Sequence, residues 1–149
     1  MPGFELIGKE EREAVNELFD DGGVLLAHSF DNMRNNRYHV REFEKKFANF
    51  LGVKYAQAVS SGTAALKVAL IVLGVKPGDE VITQSFTFIA TAEAIIDIGA
   101  KPVFVNIDNT LNMNPAELES AITKKTKAII PVHMLGLSCE MNEIIKICK

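Results

Sequence analysis

The sequence predicts an α/β fold: a three-layer, mostly parallel sheet. Three observations carry this. From residue 55 onward, short β-like runs alternate with helix-like runs. Parallel strands need crossover connections, and helices of this length supply them. Glycines and a Pro-Gly turn fall at the junctions, at Gly52, Pro77-Gly78 and Gly99. The composition, 48% hydrophobic and 23% charged, is that of an ordinary folded domain.

The first 52 residues read as an N-terminal helical segment. Lys9 to Phe19 is charged, with Val15, Leu18 and Phe19 to one side, which predicts a short amphipathic helix ended by Asp21-Gly22-Gly23. Asp31 to Arg37 is polar and turn-rich, hence an exposed loop. Val40, Phe43, Phe47, Phe50 and Leu51 recur at helical spacing, and Gly52 stands where a C-terminal glycine cap belongs. That helix is expected to bury its phenylalanines and expose Glu42, Lys45, Lys46 and Asn49.

Residues 53–149 read as the α/β part. Tyr55 to Ser60 is short and apolar, hence a strand. Thr63 to Leu73 is apolar on nearly every face, hence a buried helix. After the turn Lys76–Asp79 come a strand at Glu80–Thr83, a helix at Thr87–Ile98 and a strand at Pro102–Ile107. Asn114-Pro115-Ala116-Glu117 opens the next helix, with a capping residue, a proline at the first helical position and an acid three residues after the cap. Lys127–Val132 is the fourth expected strand, and Ser138 is expected to cap a last helix from about Glu140. A strand normally follows such a unit, so the expectation is of an α/β domain truncated before completion.

Charge and length narrow the function classes. Sixteen basic against 19 acidic side chains leave −3, which argues against nucleic-acid binding through phosphate neutralisation. The start lacks a basic segment followed by an apolar one. The longest apolar stretch, Ala64–Val75, is interrupted by Lys67 and Gly74 and falls short of the roughly 20 residues that span a bilayer. Two cysteines make no disulfide framework. A cytoplasmic protein is the resulting expectation.

Few residues suggest chemistry by themselves. Ser60-Ser61-Gly62-Thr63-Ala64-Ala65 joins an expected strand to an expected helix. Free N–H groups and the helix dipole there suit an anion, although an ordinary capped turn has the same composition. The segment matches neither common nucleotide fingerprint. Phe86 and Phe88 follow a strand at the carboxyl end of the sheet, where ligands of parallel α/β folds sit. Either ring could stack on a flat cofactor or simply fill the core. His133 follows the fourth expected strand and reads equally as a ligand-facing group or a packed cap. His133, Cys139 and Cys148 fit no zinc spacing, and Asp108 reads as a turn residue.

Taken in order, the pieces resemble a known family. VREFEKKFANFLG (40–52), SSGTAAL (60–66), PGDEV (77–81), SFTFIA (85–90), the strand ending in Asp108 and KAIIPVHMLG (127–136) are similar to the N-terminal part of the DegT/DnrJ/StrS aminotransferases. These are fold-type I enzymes that use pyridoxal 5'-phosphate (PLP), and many aminate keto sugars linked to nucleotides. The resemblance spans about residues 5–149 and implies a truncated large domain of that fold.

The resemblance implies a role for six residues. Gly62, Thr63 and Ala64 would hold the PLP phosphate through backbone N–H groups, with hydroxyl help from Ser61 or Thr63. Phe88 would stack on the pyridine ring, and His133 would lie near the cofactor. It also implies a homodimer, with a nucleotide-linked keto sugar and glutamate as the substrates of the intact enzyme. The family's lysine for covalent cofactor attachment and its aspartate for the pyridine nitrogen match no motif here, so only half of the PLP site is expected and the chain alone is expected to be inactive. Leu135 departs from the aromatic residue of many relatives. Alternatives are a non-catalytic binding or assembly module, a PLP dehydratase, or an aminotransferase of a non-sugar ring.

Overall fold

The computed structural model describes residues 3–149. The chain divides into two units, Met1–Ala58 and Val59–Lys149.

The first unit contains α1 (Lys9–Asp20) and α2 (His39–Leu51). Glycine cannot cap with a side chain, so the Gly8 N–H before α1 is taken instead by the Glu11 carboxylate, at 2.7 Å. The turn after α1 requires glycine at Gly22: its φ is +104°, and a Cβ there would lie 1.9 Å from the Met33 carbonyl oxygen. Gly52 ends α2 in the left-handed region, and the Val53 N–H returns to the Ala48 carbonyl at 3.0 Å.

Three expectations for this part are corrected. The phenylalanine face of α2 is not buried: Phe43, Phe47 and Phe50 are exposed, and Ala48 is the helix's buried residue. The apolar stripe exists, and Phe43 and Phe47 stack on each other within it, ring centroids 5.6 Å apart. Tyr55–Ser60 forms no strand. Its hydrogen bonds go to α2, where the Glu44 carboxylate accepts from Ala58 N–H at 2.8 Å and from the Gln57 amide at 2.9 Å. These two bonds tie Gln57 and Ala58 to α2, within the first unit. Finally, the polar 31–37 loop hides one side chain. Arg34 is buried, donates to the Leu26 carbonyl at 2.6 Å and stacks over the Tyr38 ring.

The second unit runs α3 (Gly62–Val72), β1 (Glu80–Gln84), α4 (Ile89–Asp97), β2 (Lys101–Val105), α5 (Pro115–Ala121), β3 (Thr126–Ile130) and α6 (Met141–Ile147). The three strands form one parallel sheet in the order β2-β1-β3. β1 is central and wholly buried. Pleating sends alternate residues to opposite faces. Ile82, aligned with Val103 and Ile129, packs with Leu118 of α5 and Ile144 of α6. Val81 packs on the other face with Leu70 of α3 and Ile95 of α4. Helices on both faces of a parallel sheet make the three layers expected of the α/β class.

Local sequence explains the junctions. Gly99, at φ +78°, closes α4, and its carbonyl accepts the Gly78 N–H at 2.9 Å. Asn114 caps α5 by accepting the Ala116 N–H at 3.1 Å. Glu117 does not complete a capping box. Its carboxylate instead accepts from the Asn106 backbone at 3.2 Å and side chain at 3.1 Å. Ser138 does not cap α6, which begins one step later with Glu140 at the cap position. α3 is less buried than its composition predicts: Leu70 is buried, whereas Val68, Ile71 and Val72 are exposed.

Candidate functional site

In a parallel sheet, all strands end at one edge, and the loops leaving that edge meet. Phe88 follows β1, Asp108 follows β2 and His133 follows β3, so the three share the carboxyl edge. α3 belongs to the same edge through its start. It leads through the turn Lys76–Asp79 into the first residue of β1, and it packs along α4 with Lys67 Nζ 2.9 Å from the Asp97 carboxylate. Leu70 and Val75, near and after the end of α3, pack with Val81, Ile95 and Ala100, so a helix lying along α4 starts toward the carboxyl edge.

That N-terminus is built from Ser61 to Ala64. Ser61 is extended, with φ −163° and ψ 164°, and its hydroxyl accepts the Ala64 N–H at 3.1 Å. The Ala65 N–H bonds to the Ser61 carbonyl at 3.0 Å. Helix geometry leaves the N–H groups of Gly62 and Thr63 without intrahelical acceptors. A Cβ at Gly62 would meet nothing within 4 Å, so the space beside it is open. The donor set is therefore two backbone N–H groups and two hydroxyls, at the positive end of an 11-residue helix dipole.

Phe88 immediately precedes α4 and is 75% exposed. Thr87 and Thr91 hydroxyls, 2.9 Å apart, tie its loop to the first turn of the helix. His133 is exposed at its edge, but its Nδ1 is engaged and accepts the Cys139 N–H at 3.0 Å. Acceptance at Nδ1 puts the neutral ring's proton on Nε2 and leaves that nitrogen as a donor. Asp108 makes a local turn: its carboxylate accepts the Thr110 N–H at 2.7 Å and the Thr110 hydroxyl. These bonds, the hydroxyl first, hold its carboxyl below the ordinary aspartate value. The structure brings the Ser61–Ala64 turn, Phe88 and His133 to one edge, and gives Asp108 a role in the loop.

Two residues at this edge escaped sequence reasoning. Gln84, the last residue of β1, and Asn112, in the loop after β2, are buried polar side chains. Gln84 bonds to the loops after all three strands, and Asn112 to the turn around Met134. The available signal was an amide directly after the β-branched run Val81-Ile82-Thr83, at a position where Val or Ile would bury more readily. Among the described residues, no helix is long and apolar enough to cross a membrane.

Comparison with known proteins bears on this geometry. The model of the DegT/DnrJ/EryC1/StrS aminotransferase family matches residues 8–149. The chain is 48% identical to the spore coat polysaccharide biosynthesis protein SpsC of Bacillus subtilis, over 97% of this chain and 35% of that protein. It is 47% identical to a UDP-2-acetamido-2-deoxy-3-oxo-D-glucuronate aminotransferase of Pseudomonas aeruginosa, over 95% of this chain and 39% of that protein. The chain thus spans just over a third of the length of these curated relatives. Among solved structures, 3-amino-5-hydroxybenzoic acid synthase superposes with a TM-score of 0.85 at 37% identity, over 98% of this chain and 36% of that one. A GDP-4-keto-6-deoxymannose-3-dehydratase, solved with a trapped PLP-glutamate geminal diamine, superposes with a TM-score of 0.77 at 32% identity, over 92% of this chain and 35% of that one. A family match over nearly the whole length and a shared three-layer fold agree: the chain belongs to the DegT/DnrJ/EryC1/StrS aminotransferase family.

Proposed function

We propose that this chain forms the phosphate- and ring-binding half of a PLP site, and that the whole protein transfers an amino group to a keto sugar carried by a nucleotide. The observation that carries the reading is the start of α3 at the carboxyl edge, with uncommitted N–H groups on Gly62 and Thr63 beside open space. This donor set fits a phosphate dianion: N–H groups and hydroxyls donate, and the helix dipole favours the charge. PLP, when bound, supplies an electron sink for bonds at the substrate's amino-bearing carbon.

The chain's own residues then have distinct roles. Gly62 and Thr63 hold the phosphate by backbone N–H, and the Ser61 and Thr63 hydroxyls add donors. Ala64 contributes less directly, because its N–H is already given to Ser61. Phe88 offers an exposed aromatic face to the pyridine ring. His133 offers its Nε2 as a donor to the cofactor, its ring held by Cys139.

The substrate class draws support from the relative that aminates a UDP-linked oxo sugar, and glutamate as amino donor from the dehydratase solved with a PLP-glutamate adduct. That dehydratase also favours a second reading, in which the same site serves dehydration. Dimerisation is part of the proposal, and the exposed apolar residues of α3 and α4 support it. Comparative titration with PLP and pyridoxal, which lacks the phosphate, tests the cofactor reading. PLP is expected to bind and pyridoxal to bind at least tenfold more weakly, about the worth of one or two charged hydrogen bonds. Equal affinities would reject it.

A further inference from the structure

We propose that Gln84 is a positioning residue for this half-site: its buried amide sets the loops that carry Phe88 and His133. What those loops hold rests on the cofactor reading above.

Gln84 is fully buried, and every hydrogen-bonding position of its amide is used. Nε2 donates to the Phe86 carbonyl at 3.0 Å and to the Leu111 carbonyl at 3.0 Å. Oε1 accepts the Met113 N–H at 3.2 Å and the Val132 N–H at 3.0 Å. The reverse amide orientation would set donor against donor at Met113 and Val132, so only one orientation satisfies all four partners. The partners lie in three loops, one after each strand. Phe86 is two residues before Phe88, and Val132 is adjacent to His133.

Asn112 extends the clamp. Its Oδ1 accepts the Met134 N–H at 2.8 Å, and its Nδ2 donates to the Thr110 hydroxyl at 3.1 Å and the Leu137 carbonyl at 3.2 Å. His133 therefore sits between two residues whose N–H groups are bound by buried amides. Leu111, held by Gln84, and Leu135, one residue past Met134, both have positive φ, at 64° and 52°. Leucine adopts this region uncommonly and at a cost that neighbouring bonds must offset. A Val or Leu at position 84 would bury comparable area but leave four loop groups unpaired.

Two variants test this in the whole chain. Gln84→Met keeps the length and deletes all four bonds. Gln84→Glu keeps the accepted pair and loses the donated pair, and it carries the test should Gln84→Met fail to fold. Binding of PLP and of inorganic phosphate is titrated on folded protein, and the Phe88 and His133 ring resonances are followed without ligand. The expected result is PLP affinity about tenfold lower, phosphate affinity unchanged, and both rings shifted. Wild-type PLP affinity with unmoved rings overturns the proposal, as does an equal loss of PLP and phosphate binding. Absence of PLP binding by the wild type rejects the cofactor reading alone. The ligand-free ring shifts still decide the positioning role: shifted rings support it and unmoved rings overturn it.

Discussion

Ser61 Oγ accepts the backbone N–H of Ala64 at 3.1 Å. The cap and the proposed anion contacts therefore divide the first N–H groups of α3 between them. Ser61 satisfies the third, and those of Gly62 and Thr63 have no intrahelical acceptor.

The cap has its own consequence. Ser61→Ala is expected to lower stability by about 1 kcal/mol, and Ser61→Gly by only a few tenths. Denaturant unfolding monitored by circular dichroism checks this. Equal stability of all three proteins would mean that the bond contributes nothing to α3.

Asp108 predicts an acid limb. Its carboxyl is held below the ordinary aspartate value by Thr110, through the hydroxyl first and then the N–H. A depressed folded pKa means stability that is present above the unfolded value, about 3.9, and is lost as pH falls through the folded value. Asp108→Asn keeps an acceptor for the Thr110 N–H but no longer titrates. Stability measured between about pH 5 and pH 2 should fall less steeply in this variant than in the wild type. Identical slopes would show that Asp108 is not coupled to folding.

The exposed apolar side chains predict association. Val68, Ile71 and Val72 of α3 and Ile89 and Ile96 of α4 are all exposed, and exposed apolar patches mark association surfaces. Light scattering over a dilution series should find a dimer or larger species. A monodisperse, folded monomer at micromolar concentration would refute this.

We propose that these 149 residues alone do not catalyse transamination, because the resemblance implies a lysine for covalent cofactor attachment that none of the 12 lysines matches by its neighbours. A transamination rate that scales with protein and disappears in a single Lys→Ala variant would contradict this and identify the lysine.

Much of the fold was legible because its signals are local. The period of α2, the glycines at 52 and 99 and the Asn114-Pro115 helix start each act within a few residues, and each took its expected form. Pairing was less legible. Tyr55–Ser60 has the composition of a strand, but a strand also needs a neighbour, and Glu44 took its Ala58 N–H. Apolar composition marked α3 and the phenylalanines of α2 as buriable, yet composition does not say what covers them. The Ser61–Thr63 turn could be read because helix caps use adjacent residues. Gln84 could not, since its partners Leu111 and Val132 lie 27 and 48 residues away.

Titration of Gly62→Val and Thr63→Ala against the wild type reads out whether the start of α3 holds the phosphate of PLP. Open space beside Gly62 lets valine fit the free chain, so the side chain should obstruct the anion and leave the fold intact. Loss of the Thr63 hydroxyl removes one donor, worth about tenfold in affinity for a charged acceptor. Weaker PLP and phosphate binding in both folded variants is the predicted result. Unchanged affinity in both would contradict it.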